Sequence, residues 1–202
     1  MITEHISYYA NLGSFGVVIC MWFVFAGTFL LRKRPESARD SKRAPASWVG
    51  LIFQGMGFGI VWTVRRTPFA SPFIDGQFAA NVALQTIAIL LAICSVWLAT
   101  SAIRELGKQW SLQARLIEGH KLVTTGVYGL VRHPIYTAMF GMMLATGLVF
   151  SHWIALAAAV IVILIGTRIR TNIEESLLRD AFGEEFKTWK AKVPGLIPFV
   201  KI

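Results

Sequence analysis

Residues 126–136, Gly-Val-Tyr-Gly-Leu-Val-Arg-His-Pro-Ile-Tyr, carry Arg132 and His133 straight into an apolar run that opens at Ile135. A guanidinium and a titratable imidazole thus stand at the border of a stretch that reads as a membrane span. Pro134 disfavours helix at His133 and suits a first helical position, so the backbone is expected to turn there and leave early N–H groups free for an anionic ligand. Two apolar segments later the chain returns with Arg168, Arg170 and the adjacent carboxylates Glu174 and Glu175. Close to a membrane boundary, partial desolvation strengthens the hold of such groups on a charged ligand. The competing reading is an exposed helix, because Arg170–Glu174 and Glu175–Arg179 are i,i+4 pairs worth only a few tenths of a kcal/mol in water.

A second polar segment, 104–134, holds Gly-Lys-Gln-Trp-Ser at 107–111 and Glu-Gly-His-Lys-Leu-Val-Thr-Thr-Gly-Val-Tyr at 118–128. It reads as a surface loop with a lid function. His120 and His133 both sit in polar sequence, which favours a ligand role over core packing. Trp110 and Tyr128 suit either a ligand face or an anchor at headgroup level. No metal is expected, since His120, His133 and the two acids lack the i,i+3 or i,i+4 histidine spacing of a helical metal site. Cys20 and Cys94 lie in separate apolar runs without ligand spacing and read as packing residues. Gly-Met-Gly-Phe-Gly at 55–59 imitates a nucleotide-binding loop, but it lies inside an apolar run, where small residues let helices approach closely.

The elements that must position these groups follow from composition. Of 202 residues 55% are hydrophobic, in runs too long for an ordinary soluble core. Spans are expected at 9–31, 48–64, 78–103, 135–150 and 153–166, the last two forming a tight hairpin about Ser151-His152. The charges set a direction: six Lys and Arg fall in 32–47, five in 104–134 and seven from 167 onward, against two in 65–77 and none in the other connections. By the positive-inside rule this is an all-α integral membrane protein of about five transmembrane helices, with the N-terminus outside and the C-terminus cytoplasmic. A net charge of +9 then reflects topology and some attraction to anionic membrane lipids, and no nucleic acid is expected as a partner. Residues 1–202 read as one membrane domain, with three N-terminal spans in 1–103 and the chemistry in 104–202. The first span lacks a basic leader and is expected to be retained rather than cleaved. No repeat is visible, and an odd span count disfavours the inverted halves of many transporters. Residues 168–175 continue the last span as helix. Residues 182–198, with Phe182, Phe186, Trp189 and two prolines, read as an interfacial helix that covers the pocket.

The motifs at 107–111, 118–123, 126–136 and 174–186 together resemble the isoprenylcysteine carboxyl methyltransferase family, related to the phospholipid N-methyltransferases. The match covers about the C-terminal half. The resemblance implies a membrane methyltransferase that uses S-adenosylmethionine, its cofactor pocket formed by the cytoplasmic loop, the hairpin and the C-terminal interfacial helix. By motif position His120, Gly126, Tyr128, His133, Pro134 and Tyr136 would line the cofactor site, and Glu174 and Glu175 would match the paired acids that close it. Arg170, chosen over Arg168, and Glu174 would be catalytic, with Trp110 and Arg170 at the acceptor.

Such a donor presents an ammonium, a carboxylate, an adenine and a sulfonium, so its pocket needs an acid, cationic or N–H donors, and aromatic faces, which also favour a sulfonium. Methyl transfer is an in-line displacement driven by alignment. A carboxylate acceptor needs no base, whereas a thiol or amine would call on Glu174 or His133. The membrane setting implies a lipophilic acceptor entering sideways while the donor enters from the cytoplasm. Two other classes remain open: a sterol-type reductase using a nicotinamide dinucleotide, and a non-enzymatic scaffold or small transporter.

Overall fold

The computed structural model describes residues 2–31, 40–66, 78–198 and 200. Five helices account for most of it: α1 (Ile2–Leu30), α2 (Ser47–Thr63), α3 (Phe78–Leu106), α4 (Pro134–Phe150) and α5 (Trp153–Lys192). Their interiors contain no proline, and with no water in hydrocarbon a helix is the way for an apolar segment to satisfy its own backbone. Three of them, through Ser7–Leu30, Phe78–Gln109 and Trp153–Lys192, are long and apolar enough to cross a membrane. At 17 residues each, α2 and α4 reach about 25 Å, the low end of a span. The expected spans coincide with these helices to within a few residues, except that α1 begins seven residues early; the last span continues as helix through 168–175 as expected, within the 40 residues of α5. Of the basic runs behind the charge count, residues 32–39 lie outside the described part of the chain, as does most of the 65–77 connection.

Terminal chemistry fixes the hairpin. Pro134 opens α4 and Ser151 closes it, and the His152 side chain then accepts from Ile154 N to cap α5. The last carbonyls of α4 are met from outside: Arg66 donates its backbone N–H to Phe150 O (3.0 Å) and its guanidinium to Leu148 O (2.8 Å), a cation at a helix C-terminus.

The helices pack in two chemically different ways. α1 meets α3 through buried polar groups, with Asn81 Nδ2 donating to Asn11 Oδ1 (3.0 Å) and Ser14 Oγ donating to Gln85 Oε1 (2.5 Å). α2 meets α5 through glycine: a Cβ on Gly50 would lie 2.6 Å from Gly166 O and 2.5 Å from Arg170 Cγ, and one on Gly166 would lie 2.6 Å from Gly50 O. Gly57, the middle of the pseudo-nucleotide motif, lies against Ala159 and Ile163 of α5, which is the packing role expected of it; Gly55 and Gly59 face open space.

One expectation fails here. Cys20 and Cys94 lie on the outer surface of α1 and α3 instead of in packed interfaces. The all-helical architecture carries one short ribbon besides: β1 (Asp40–Arg43) pairs antiparallel with β2 (Arg115–Ile117), Lys42 opposite Leu116. Neither strand carries the long alternation that announces a strand, and the pairing runs through backbone alone. Ala44 N to Ala114 O (3.0 Å) and Ala114 N to Ser47 Oγ (3.3 Å) extend it to the start of α2, tying the 107–117 segment to that helix.

Candidate active site

The site is built where the 126–136 segment meets α5. Gly126 has φ +57, and a side chain there would run into the Glu105 carboxyl group, so the turn needs glycine. The 3-10 turn it opens, Gly126–Gly129, buries Val127 and Tyr128 against Phe186 and Trp189, and Trp189 Nε1 donates to Tyr128 O (3.2 Å). That contact depends on Gly183, which leaves helical geometry with φ 50 and ψ −117. Lys190 Nζ donates to Glu175 Oε2 at 2.5 Å, although on a straight helix fifteen residues would separate them by about 22 Å. The chain therefore folds back at Gly183 and lays residues 184–192 over the 126–133 turn.

The start of α4 is not the open anion site that the proline suggested. Arg132 N donates to Pro194 O (2.8 Å) and His133 N to Gly195 O (3.0 Å), while Tyr136 N and Thr137 N bond His133 O. Thr137 Oγ1 donates to Leu196 O (2.6 Å). The returning tail supplies the carbonyls, so these donors are already satisfied.

Side chains from these pieces form one network. Glu175, 7% exposed, accepts from Arg132 Nε (2.9 Å), from Lys190 and at 3.2 Å from His133 Nε2. Arg132 also donates to the carbonyls of Lys190 and Val193, which closes the folded-back segment. On its other side His133 Nδ1 lies 3.6 Å from Glu174 Oε2. The Tyr136 hydroxyl donates to Glu174 and accepts from Arg170 Nε (2.8 Å), and Arg170 donates a second N–H to Leu112 O (2.7 Å). The Arg170 guanidinium sits 5.3 Å from the Tyr136 ring centroid and 3.7 Å from Glu174 Oε1. At 4% exposure, Arg170 is no solvated surface charge, so the exposed-helix reading fails for the Arg170–Glu174 pair. Glu175 engages Arg132 and Lys190 instead of Arg179, so the second expected i,i+4 pair gives way to longer-range partners. Burial works to lower the pKa of His133, but its hydrogen bonds and the charges of Glu174 and Glu175 outweigh it and hold the imidazole above its usual range. Burial alone lowers His120, which favours its neutral form.

A cavity of about 630 Å³ opens against this network. Arg170, Glu174, Tyr136 and His133 line its polar end, with Pro134 beside them; Trp110, His120 and Tyr128 line it as well, as does Trp189. Gly126 and Glu175 do not: the first shapes the turn, the second stands behind the wall and holds its cations. The cavity continues into an apolar arm between α1 and α2, walled by Trp22, Phe25 and Phe29 on one side and Leu51, Phe58 and Trp62 on the other. The ring of Trp22 meets Phe58 edge-on at 5.2 Å and Trp62 at 5.9 Å. Arg132, Lys190 and this arm were missed by the sequence reading as site residues. Arg132 had a signal in its neighbour His133; Lys190 had none, because the reversal at Gly183 breaks helical periodicity. His120 Nδ1 is buried without a partner in the cavity wall, a donor or acceptor available to a ligand.

Known proteins share the segments that carry His133, Tyr136, Arg170 and the paired acids. Residues 84–185, half of the chain, match the phospholipid methyltransferase family model. The chain is 29% identical over 153 residues to protein-S-isoprenylcysteine O-methyltransferase of Schizosaccharomyces pombe, covering 74% of this chain and 62% of that protein. The enzyme of the same name from Mus musculus is 30% identical over 120 residues, 58% of this chain and 42% of that one. Protein-S-isoprenylcysteine O-methyltransferase B of Arabidopsis thaliana is 29% identical over 119 residues, 58% of this chain and 60% of that one. The chain thus spans less than two thirds of each of these relatives.

Proposed function

The chain belongs to the phospholipid methyltransferase family, and from that premise we propose that it is an S-adenosylmethionine-dependent methyltransferase acting on a lipid-tailed acceptor within the membrane. The observation that carries this reading is a single cavity with two chemistries. A charged end of Arg170, Tyr136, Glu174 and His133 opens directly into an aromatic arm. A water-soluble donor and a greasy acceptor need that combination.

The residues present fit the donor. A partly exposed carboxylate, Glu174, suits its ammonium; the unpartnered Nδ1 of His120 suits a hydroxyl or ring nitrogen; Trp110, Tyr128 and Tyr136 offer faces for an adenine or a sulfonium. What S-adenosylmethionine supplies when bound is a methyl group on a sulfonium, which passes to the acceptor nucleophile as the carbon–sulfur bond yields its electron pair to sulfur.

Every other task falls to the chain. Arg170, fixed through Nε to Tyr136 and through one NH2 hydrogen to Leu112 O, keeps further N–H groups to orient an acceptor carboxylate. With the acceptor and donor both held, alignment supplies most of the rate. A carboxylate acceptor requires no base. For a thiol or amine, Glu174 or His133 is the candidate base. Gly126 and Glu175 act from behind the wall, through the turn and through Arg132, His133 and Lys190. The relatives' names favour a carboxylate at the end of a prenylated cysteine.

The charge distribution supports five spans with the N-terminus outside, the C-terminus cytoplasmic and the polar end facing the cytoplasm, within one membrane domain whose first two helices wall the arm. The related methyltransferases lend no support to the reductase or scaffold readings. Calorimetric titration of the detergent-purified protein with S-adenosylhomocysteine, with the reduced nicotinamide dinucleotide phosphate as control, tests the proposal. Saturable binding of the first alone is expected, weakened in His133→Ala and Glu174→Gln; binding of neither ligand, or of the dinucleotide alone, would overturn it.

A further inference from the structure

The cavity wall holds a buried amide that neither the ion network nor methyl transfer uses. Gln54 stands on α2 between Leu51 and Phe58, on the face that walls the aromatic arm, and is 1% exposed. Its Nε2 donates to Thr167 Oγ1 (3.0 Å), and its Oε1 is buried without a partner. An unmatched amide oxygen in apolar surroundings is costly, and leucine at the same place would avoid the cost. The Gly50–Gly166 contact fixes the level of this group. It presses α2 onto α5 one turn before Gln54, with Gly50 against Arg170 Cγ. Thr167 precedes Arg170 by three residues, about 4.5 Å along the axis of α5, so the amide is bonded to α5 less than one turn from the residue that carries the guanidinium.

We propose that Gln54 selects the acceptor: among lipid-tailed molecules it favours those carrying an N–H or O–H donor at the junction of reactive head and tail, bonded to Oε1. This rests on the methyltransferase reading and adds to it a class of acceptor. The tail fills the arm by shape alone, whereas the junction is read by a directional bond. A site built to hydrogen-bond a ligand group rejects the analogue that lacks it far more strongly than an apolar pocket rejects a change of size.

Two acceptor mimics with the same tail and carboxylate separate these effects. N-dodecanoylglycine has an N–H at the junction; N-dodecanoylsarcosine has an N-methyl group there. Each is titrated into the full chain saturated with S-adenosylhomocysteine, reading the quenching of tryptophan fluorescence, since Trp22 and Trp62 wall the arm. The glycine conjugate is expected to bind about tenfold more tightly or better. In Gln54→Leu the gap should close while S-adenosylhomocysteine affinity is retained. A gap that survives Gln54→Leu is steric and overturns the inference, as do equal affinities in the unaltered protein or binding of neither conjugate. Retained binding of S-adenosylhomocysteine would confine that failure to Gln54; its loss would take down the methyltransferase reading with it.

Discussion

The two ends of the cavity are held by opposite means. At the polar end, Arg132, His133, Tyr136, Arg170, Glu174 and Glu175 fix one another through directional bonds, nearly all buried. The arm is held by packing, with aromatic rings edge-on and few polar anchors, chiefly Trp22 Nε1 on Thr146 Oγ1 (2.9 Å) and the Gln54 amide. Directional bonds determine which atoms meet, and loss of a partner leaves a buried charge behind. Packing is graded, so the arm decides what fits and tolerates change. One end is therefore suited to chemistry and the other to selection.

The sharpest break in that contrast comes from the two neighbouring acids. Glu175→Gln leaves Arg132, His133 and Lys190 without their carboxylate and is expected to destabilise the fold by about 3 kcal/mol, seen as a lower unfolding midpoint in detergent. Glu174→Gln, at the more exposed acid, should leave that midpoint nearly unchanged and weaken donor binding; equal destabilisation would erase the distinction between wall and support. Next, Arg170→Ala is expected to lower turnover roughly 100-fold while S-adenosylhomocysteine affinity falls much less. Equal losses would mean that Arg170 grips the donor.

The two ends share one joint, and Gly166→Ala disturbs both. Its Cβ would meet Gly50 O at 2.6 Å, so α2 must move off α5 at an expected cost of about 2 kcal/mol in stability, measured by the same unfolding experiment. Within the arm, Phe58→Ala should weaken acceptor binding by about 1 kcal/mol, roughly fivefold, with donor affinity untouched. Loss of donor affinity there would couple the ends more tightly than packing predicts.

The smallest effect is one of pH. His133 titrates above its unfolded value near 6.5, so its stabilising charge is fully present below about pH 6.5 and is lost as pH rises through the folded value. The unfolding midpoint of the unaltered protein should fall on going from neutral to alkaline pH, more steeply than that of His133→Asn. Parallel curves would show that the imidazole does not carry the charge assigned to it.

The polar end was legible in the sequence because charged groups beside hydrocarbon have few ways to be satisfied. Arg170, Glu174 and His133 stand where no apolar role suits them, and the apolar runs along the chain announced the five helices. The arm was not legible: Trp22, Phe58 and Trp62 are ordinary residues for a membrane helix, and nothing in their spacing separates a cavity wall from a lipid-facing surface. Lys190 was hidden for another reason, since its partner lies fifteen residues back and is reached only through the backbone reversal at Gly183. The docking of the segment before α4 was hidden likewise, because the acceptors for Arg132 N, His133 N and the Thr137 hydroxyl come from Pro194, Gly195 and Leu196, far along the chain.

That last arrangement has a consequence for how the protein is made. The backbone donors of Arg132 and His133 are synthesised some 60 residues before the carbonyls that receive them. At roughly 5–20 residues per second, a ribosome needs several seconds to cover that distance. The helices can enter the bilayer in order during that interval, but the polar end cannot close until residue 196 has emerged. A nascent chain thus carries an open, incomplete pocket until residues 194–196 arrive, and competence to bind follows their synthesis instead of the insertion of the helices.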